Sequence, residues 1–343
     1  MDNTKSVLIP VTEASQVGEA RRVASAMADK IGFSENKRGE VGIIVTEAAG
    51  NLVQHTSGGE IVLRPVTRST VRGLEILALD RGPGMADISR CFGDGYSTAG
   101  TPGNGLGAIV RLSSEFDIHS APGVGTALWS CVWAEDKPKN GQPPLPGSGL
   151  EVGAVCLPIS GEQECGDAWA LQTRQGEPRM ALADGLGHGP IAAEASAAAL
   201  SFFEQSAYAR LEDLMTAMHQ RMRHTRGAAV AIMELGQNEV RFVGVGNIAG
   251  AVVSEDTTRN MVSHNGTVGH HLHRLHEFVY PWQRGALLVL HSDGLTSQWR
   301  LDKYSGLVTR HPSLIAGVLY RDFCRGRDDV TVVVVRHEAG GNA

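Results

Sequence analysis

Acidic, amide and glycine residues suited to phosphate chemistry fall into two separate sets along this chain. The set in the first half comprises Glu47, Asn51, Asp80, Gly82, Gly84, Gly103, Gly105, Gly107, Gly123, Gly125 and Thr126. The set in the second half comprises Asp167, Asp184, Gly185, Asp293, Gly294, Asp328 and Asp329. Glycine-rich loops before a helix suit a nucleotide, whereas dispersed carboxylates suit a two-metal hydrolase. The chain is therefore expected either to add and remove a phosphate or to let a nucleotide control its removal.

Glu47 and Asn51 lie four residues apart in a segment with helical periodicity. The apolar residues of this segment predict a buried stripe formed by Val41, Ile44, Val45, Ala48 and Leu52. Glu47 and Asn51 share the face beside that stripe. The carboxylate could orient an attacking hydroxyl, and the amide oxygen could bind Mg²⁺. The alternative is an amphipathic helix whose polar flank has no chemical role.

Asp80 directly follows an apolar strand predicted near residues 74–79. A carboxylate at a strand end can accept a hydrogen bond from an adenine amino group. The glycines after it, Gly82 and Gly84, would let the backbone approach the base. A predicted helix then opens with three more glycines, whose N–H groups and positive helix end suit phosphates. These glycines are Gly103, Gly105 and Gly107.

Four aspartates of the second half sit at the ends of predicted strands: Asp167, Asp184, Asp293 and Asp328. Carboxylates with few histidines or cysteines among them favour Mg²⁺ or Mn²⁺ over zinc. Two such ions can activate a water and neutralise a phosphate. Taken singly, each Asp-Gly pair is also an ordinary turn signal.

Histidines of the second half allow two interpretations each. His188 follows Asp184 by four residues, so it could protonate a leaving serine oxygen or bind phosphate, or it could be an exposed loop histidine. A cluster of histidines looks like a metal tract, but its spacing fits no standard site. We expect a flexible flap over the active site instead. The cluster comprises His264, His270, His271, His273 and His276.

Length, composition and charge exclude some classes of protein. The 343 residues suffice for two domains, and a net charge of −6 offers no basic field for nucleic acid or acidic lipid. No apolar run approaches a membrane span, so a cytoplasmic location is expected. The proline-rich stretch at residues 134–149 predicts a linker between domains at 1–133 and 150–343. Helices and strands alternate in both domains, which predicts the α+β class.

The order of motifs in residues 10–133 resembles the Bergerat ATP-binding fold, most closely the serine kinases of bacterial partner switching of the RsbT and RsbW type. The resemblance implies an α/β sandwich that binds ATP with Mg²⁺. It implies Glu47 as catalytic carboxylate, Asn51 as Mg²⁺ ligand and Asp80 as adenine contact. The pocket would be lined by Gly82, Gly84, Gly105, Gly107 and Thr126. The lid, residues 96–104, departs from the family's tighter glycine-rich run, so ATP binding is better supported than phosphoryl transfer.

The second half, over residues 151–337, resembles the PPM phosphatases of the SpoIIE and RsbX-like branch. The resemblance implies an α-β-β-α sandwich with two Mn²⁺ or Mg²⁺ ions. The implied ligands are Asp167, Asp184, the Gly185 carbonyl, Asp293 and Asp328, and Asp329 is a weaker candidate. The implied substrate is a phosphoserine or phosphothreonine of a STAS-domain protein, an anti-sigma-factor antagonist or a stressosome component.

Together the two resemblances predict a partner-switching regulator, a metal-dependent protein phosphatase whose ATP-binding domain phosphorylates the same class of partner. In an alternative, the ATP-binding domain transfers no phosphate. It is then only a binding module, which either regulates the phosphatase or sequesters a sigma factor. The dinucleotide pattern at Gly103 lacks a preceding strand, and no Walker-type Gly-Lys-Ser/Thr occurs in the sequence. A two-component histidine kinase is disfavoured, since no dimerising helix with an acceptor histidine precedes the first domain.

Overall fold

The computed structural model describes residues 5–68, 70–88, 105–135, 149–174, 176–207, 209–254 and 257–337. The helices of this part of the chain are α1 Ala14–Lys30, α2 Glu35–His55, α3 Gly105–Leu112, α4 Pro190–Gln205, α5 Leu211–Arg221 and α6 Pro312–Phe323. Contacts between Cα atoms divide the chain into two compact units. Unit 1 contains Met1–Pro143 and Tyr304–Arg321, and unit 2 contains Pro144–Lys303 and Asp322–Ala343.

The strands of unit 1 are β1 Val7–Val11, β2 Gly59–Arg68, β3 Val71–Asp80, β4 Glu115–Ala121 and β5 Gly125–Trp133. They form one antiparallel sheet in the order β1-β2-β3-β5-β4. The apolar stripe of α2 packs on one face of this sheet, and α1 covers the same core through Ala20, Ala24 and Ala28. This core of helix and sheet side chains holds α2, which carries Glu47 and Asn51, against β3, which ends at Asp80.

Strand β3 is buried on both faces. Residues 73–80 are all buried, which is typical of a strand covered on two sides. Leu74, Ile76 and Ala78 belong to the core under the helices. Their neighbours on the opposite face contact α6: a Cβ at Gly317 would lie 3.1 Å from Leu79 Cδ2 and 3.3 Å from Leu77 Cδ2. The sheet of unit 1 therefore has helices on both faces, and the second layer comes from residues 304–321.

A buried polar group also joins this helix to the sheet. Glu75 is 5% exposed and receives hydrogen bonds from Arg64 Nε at 2.9 Å, from Trp129 Nε1 at 3.2 Å and from Ser313 Oγ at 2.8 Å. His311 stacks on Trp129, with ring centroids 3.6 Å apart. The buried carboxylate is thus fully paired, as the cost of burying a charge requires.

The predicted domain bounds, residues 1–133 and 150–343, differ from the two units at residues 304–321. The sequence predicted a helix near residues 312–320, but helical periodicity does not say which sheet the helix covers. The apolar outer face of β3 supplies that surface within unit 1. Residues 136–148 of the predicted linker lie outside the described residues.

Unit 2 contains two five-stranded sheets. The long strands are β6 Leu150–Leu157, β7 Asp167–Arg174, β8 Glu177–Gly185, β9 Ala228–Leu235, β10 Glu239–Val245, β11 Ala249–Val253, β16 Leu287–His291 and β17 Val330–His337. The short ones are β12 Thr258–Asn260, β13 Gly266–Thr267, β14 His271–Leu272 and β15 Phe278–Pro281. The sheets have the orders β15-β10-β9-β8-β7 and β12-β11-β16-β17-β6.

Two apolar cores hold unit 2 together. One core contains Trp169, Phe242 and Val333, so it draws on both sheets. The other lies between the first sheet and the helices α4 and α5, around Phe203 and Met215. The alanine run of α4 fits this contact, because small side chains let the helix lie close to the sheet. The two packed sheets agree with the prediction. The helices described in unit 2 cover one sheet, whereas the prediction placed the sheets between helices, because the helix at residues 312–321 belongs to unit 1.

The helix predicted around Glu47 and Asn51, the strand predicted near residues 74–79 and the helix predicted to open at the glycines of residues 103–107 are confirmed as α2, β3 and α3. Strands β1, β12 and β15 were missed. The histidine segment, expected to be a flexible flap, instead contains the hairpin β13–β14. Val268 exchanges backbone hydrogen bonds with Ala228, which fixes this hairpin against β9. Among the described helices, none is long and apolar enough to span a membrane.

Candidate functional site

The first set of residues converges where α2 faces the start of α3. A Cβ added to Gly105 would lie 2.6 Å from Glu47 Oε2 and 3.8 Å from Asn51 Oδ1. The first residue of α3 thus lies against both predicted side chains, and a residue larger than glycine would collide with the carboxylate. Ser34 fixes the start of α2 by accepting a hydrogen bond from the Lys37 N–H. The predicted grouping of Glu47, Asn51 and Gly105 is thereby present.

Asp80 ends β3 and is 7% exposed. Its Oδ1 accepts hydrogen bonds from the N–H of Gly82 at 2.7 Å and from the N–H of Thr126 at 3.2 Å. Within the described part of the chain, Oδ2 has no such partner and remains able to accept from a ligand. Burial raises the pKa of Asp80, whereas the two amides and the charge of Arg321 act against this rise.

Glycines are required in the loop after Asp80 because neighbouring atoms approach its backbone closely. Gly84 has φ 68°, and a Cβ on it would lie 2.0 Å from the carbonyl oxygen of Ala121. At Gly82 a Cβ would lie 2.7 Å from Thr56 Cγ2. Thr126 pairs its hydroxyl with Ser120 Oγ at 2.9 Å. The predicted roles of Gly82 and Gly84 in shaping this loop therefore have a steric basis.

Gly103, Gly107 and the lid at residues 96–104 were also predicted to belong to this site. Gly107 is buried within α3. Gly103 and the lid, residues 96–104, lie outside the described residues.

The second set of residues gathers at one end of the two sheets of unit 2. Asp167 begins β7 and is the register partner of Asp184 at the end of β8. Asp293 follows β16, and Asp328 precedes β17 in the same sheet. The negative charges of Asp167, Asp293 and Asp328 all act on Asp184. The structure thus brings together four carboxylates that are far apart in sequence.

Burial and repulsion between carboxylates raise the pKa values of two aspartates in this cluster. Asp167 is 1% exposed, and its Oδ2 is buried without a hydrogen-bond partner. Burial raises the pKa of Asp167 to about 7, and the charges of Asp329 and Asp328 add to the rise. Burial followed by the charge of Asp167 raises the pKa of Asp184 to about 9. Such a cluster is unfavourable until cations or protons compensate it.

The donor set fits divalent cations that prefer oxygen ligands. The unpaired Asp167 Oδ2 and the neighbouring carboxylates are the ligand type preferred by Mg²⁺ and Mn²⁺. In the described residues, no three His, Cys, Asp or Glu side chains already converge closely enough to hold an ion.

Gly185 and Gly294 lie where no side chain fits. A Cβ on Gly185 would lie 2.0 Å from the carbonyl oxygen of Ala192. One on Gly294 would lie 2.0 Å from the carbonyl oxygen of Asp329. Each Asp-Gly pair therefore shapes the backbone as well as supplying a carboxylate, so the turn interpretation and the site interpretation are compatible.

Asp329 has a role different from that of its neighbour. It is 2% exposed, and its two oxygens accept hydrogen bonds from the N–H of Ile159 at 2.8 Å and of Gly166 at 2.9 Å. This carboxylate is committed to holding the loop before β7, next to Asp167. Its weaker candidacy as a ligand agrees with these contacts.

His188 lies on the exposed loop between β8 and α4. Its Nδ1 is 2.9 Å from Glu162 Oε1, and the ring lies near enough to Asp329 to interact with it electrostatically when protonated. It therefore lies near the carboxylate cluster and is held by an acidic partner, which the sequence did not indicate.

Asn247 is another residue that sequence reasoning missed. Its Nδ2 donates to Asp293 Oδ2 at 2.6 Å and orients that carboxylate. The Gly246-Asn247 pair offers only a turn signal, and nothing in the local sequence connects it with Asp293.

Family comparisons assign the two halves of the chain to different families. Residues 9–131 match the family described as histidine kinase-like ATPase domain. Residues 174–338 match the family described as Stage II sporulation protein E (SpoIIE). The predicted fold classes, an ATP-binding α/β sandwich and a phosphatase of the PPM type, are confirmed.

Individual relatives cover the two halves separately. Serine/threonine-protein kinase RsbT of Bacillus subtilis (strain 168) is 33% identical over 131 residues, which are 38% of this chain and 98% of RsbT. Phosphoserine phosphatase RsbX of the same organism is 27% identical over 138 residues, 39% of this chain and 69% of RsbX. A solved structure described as "The bacterial stressosome: a modular system that has been adapted to control secondary messenger signaling" is 29% identical with a TM-score of 0.51. It covers 55% of this chain and 99% of that chain.

Proposed function

Since this chain joins a histidine kinase-like ATPase domain of the RsbT kind to a SpoIIE-family phosphatase domain, we propose that it sets the phosphorylation state of a STAS-domain partner. The second domain removes phosphate from a serine or threonine of that partner in a metal-dependent reaction. The first domain binds ATP with Mg²⁺ and phosphorylates the same class of partner, an anti-sigma-factor antagonist or a stressosome component.

The observation that carries the proposal is the carboxylate cluster around Asp167, with one buried oxygen lacking a partner, in a domain of the SpoIIE family. A protein keeps an uncompensated acidic cluster at a cost in stability, so the cluster indicates a function. The substrate class rests on the names of the relatives, a serine/threonine kinase and a phosphoserine phosphatase.

In the phosphatase domain, Asp167, Asp184, the Gly185 carbonyl, Asp293 and Asp328 would hold two Mn²⁺ or Mg²⁺ ions. Bound ions of this kind supply charge neutralisation for the phosphate and a water of lowered pKa. Asn247 orients Asp293 through its 2.6 Å hydrogen bond. His188, exposed beside the cluster, would protonate the leaving serine oxygen.

In the ATPase domain, Asp80 accepts the adenine amino group through its free Oδ2. Gly82 and Gly84 let the loop backbone lie close to the base. Asn51 supplies a hard oxygen for Mg²⁺, and Glu47, beside it on α2, orients the hydroxyl that attacks the phosphate. The remaining pocket residues, Gly105, Gly107 and Thr126, lie on α3 and β5.

A second candidate function for the first domain is favoured by one observation, the altered lid sequence at residues 96–104. In that case the domain binds nucleotide and partner, a STAS protein or a sigma factor, without transferring phosphate. Stable partner binding with no phosphate transfer from ATP would distinguish this function from the kinase.

Metal removal tests the phosphatase proposal. We expect the purified chain to release phosphate from a phosphoserine-bearing STAS protein in Mn²⁺, and chelation with EDTA to lower the rate at least about 100-fold. Restored Mn²⁺ should restore the rate, as measured by colorimetric phosphate release. The unphosphorylated partner is the control. Undiminished release in EDTA would exclude the metal assignment, and no release from any such phosphoprotein would exclude the substrate class.

A further inference from the structure

Arg321, on α6, reaches the residue that the proposed function assigns to adenine. Its Nη1 donates a hydrogen bond of 2.8 Å to the backbone carbonyl oxygen of Asp80. Arg321 is 3% exposed, so this contact is shielded from water. In a buried setting, a hydrogen bond from a charged donor is stronger than one between neutral groups.

The segment of residues 304–321 contacts several strands of the sheet of unit 1, and these contacts hold Arg321, its last residue, in place. At the start of the segment, Arg310 Nη1 pairs with Asp117 Oδ1 at 3.1 Å. In the middle, Ser313 bonds to the buried Glu75, and Gly317 lies against Leu79. None of these contacts is made with Asp80, so they dock the helix, whereas Arg321 bonds to Asp80 itself.

The carbonyl group of Asp80 is enclosed from a second side. A Cβ on Gly125 would lie 2.2 Å from the Asp80 carbonyl oxygen, so glycine is required there for the strands to close. The next residue, Thr126, donates its N–H to the Asp80 carboxylate. Main chain and side chain of Asp80 are therefore fixed together, by Arg321 on one side and by β5 on the other.

We infer that Arg321 is a positioning residue of the nucleotide site, which orients Asp80 for adenine. The inference rests on the proposed function that Asp80 contacts adenine. It means that the RsbT-like domain obtains part of its site from a segment near the other end of the chain.

Substitutions in the full chain test this role. We expect Arg321→Met to weaken ATP binding about 10-fold by calorimetry, because a buried charged hydrogen bond is lost. Arg321→Lys, which keeps the cation, should recover part of the affinity. The matched control is Arg310→Met, which removes an arginine from the same segment and should leave the ATP affinity within about 2-fold.

A second measurement needs no nucleotide. Hydrogen exchange followed by mass spectrometry should show faster exchange of the Gly82 and Thr126 amides in Arg321→Met than in the wild type, with Arg310→Met unchanged. Far-UV circular dichroism checks folding, and if Arg321→Met does not fold, Arg321→Gln replaces it with the same expectation.

The outcomes separate this inference from the proposed function. Wild-type exchange at both amides in a folded Arg321 variant would overturn the inference whatever the ATP affinity. Equal effects of the Arg310 and Arg321 variants would also overturn it, because the segment as a whole would then act. If the wild type binds no ATP, the proposed function fails, and the exchange comparison alone decides the role of Arg321.

Discussion

Asp184→Asn is expected to lower the metal-dependent phosphatase rate at least about 1,000-fold while making the metal-free protein more stable. A ligand lost from the cluster removes both charge neutralisation and water activation, which are each worth several kcal/mol of barrier. The stability gain has a separate cause. Asp184 lies among other carboxylates, and its pKa is raised to about 9 from an ordinary value of 3.8.

The sign of the pH dependence follows from this shift. Between pH 4 and pH 9 the folded chain keeps a proton on Asp184 that the unfolded chain releases, so wild-type stability falls as the pH rises through that window. Asparagine has no proton to release. The variant's advantage should therefore be small at pH 5 and grow to roughly 5 °C in melting temperature at pH 8.

Differential scanning calorimetry in EDTA and in Mn²⁺ measures this effect. Mn²⁺ at about 100 times its Kd should stabilise the wild type by about 2.7 kcal/mol, and Asp184→Asn by much less. The control is Asp302→Asn, which removes an exposed aspartate paired with Arg300. A variant that keeps wild-type turnover in saturating Mn²⁺, or that is destabilised in EDTA at pH 8, would contradict the assignment.

Asp80→Asn is expected to weaken ATP binding about 100-fold. The wild-type carboxylate uses Oδ1 for the loop amides, which leaves Oδ2 for the exocyclic amine of adenine. An asparagine loses the charge on both bonds, and an amide rotated to present its NH₂ would face another donor. The wild type should also reject GTP by a similar factor, because guanine places a carbonyl where adenine has its amino group.

Titration calorimetry with ATP and GTP checks both expectations. The control is Asp29→Asn, which neutralises an exposed aspartate of unit 1 paired with Arg38. Equal wild-type affinities for ATP and GTP would exclude the adenine role of Asp80, even if the variant bound both weakly.

Local patterns predicted much of this fold. The helical stripe from Val41 to Leu52 and the apolar run before Asp80 identified elements whose burial depends on their own spacing. Strand β1 was missed because it has only five residues, one of them Pro10, and pairs with β2 far along the chain. The strand can be recognised only from its pairing with β2, and β2 lies too far along the chain for a local sequence pattern to include it.

The motif residues of both sites were proposed from the sequence because several pairs of glycine and acidic residues recur along the chain, although a single pair is an ordinary turn signal. Asn247, Glu162 and Arg321 were not. Each is an isolated polar residue that acts through a contact 26 to 241 residues away in sequence. The histidine segment was misjudged for a related reason: its hairpin is fixed by pairing with β9, whereas its composition resembles a mobile loop.

The docking of α6 in unit 1 was also not predictable from local sequence patterns. Residues 312–321 are buried on every side of the helix, which their apolar sequence indicates. Which surface they cover is set by the outer face of β3, where Leu77 and Leu79 alternate with the core residues. A two-sided apolar strand predicts that a second layer exists but not which segment provides it.

The most direct test of the bifunctional proposal follows the phosphate on the partner. A STAS-domain protein is incubated with ATP and Mg²⁺ and with wild type, Asp293→Asn, or the double variant Asp293→Asn, Glu47→Ala, and its intact mass is measured. Asp293→Asn should let phosphate accumulate on a serine or threonine, because hydrolysis is disabled while the ATP site is intact. The double variant should leave the partner unmodified, and the wild type should hold it at an intermediate level. A partner that stays unphosphorylated with Asp293→Asn, although ATP is bound, would contradict the kinase role and leave the first domain as a binding module.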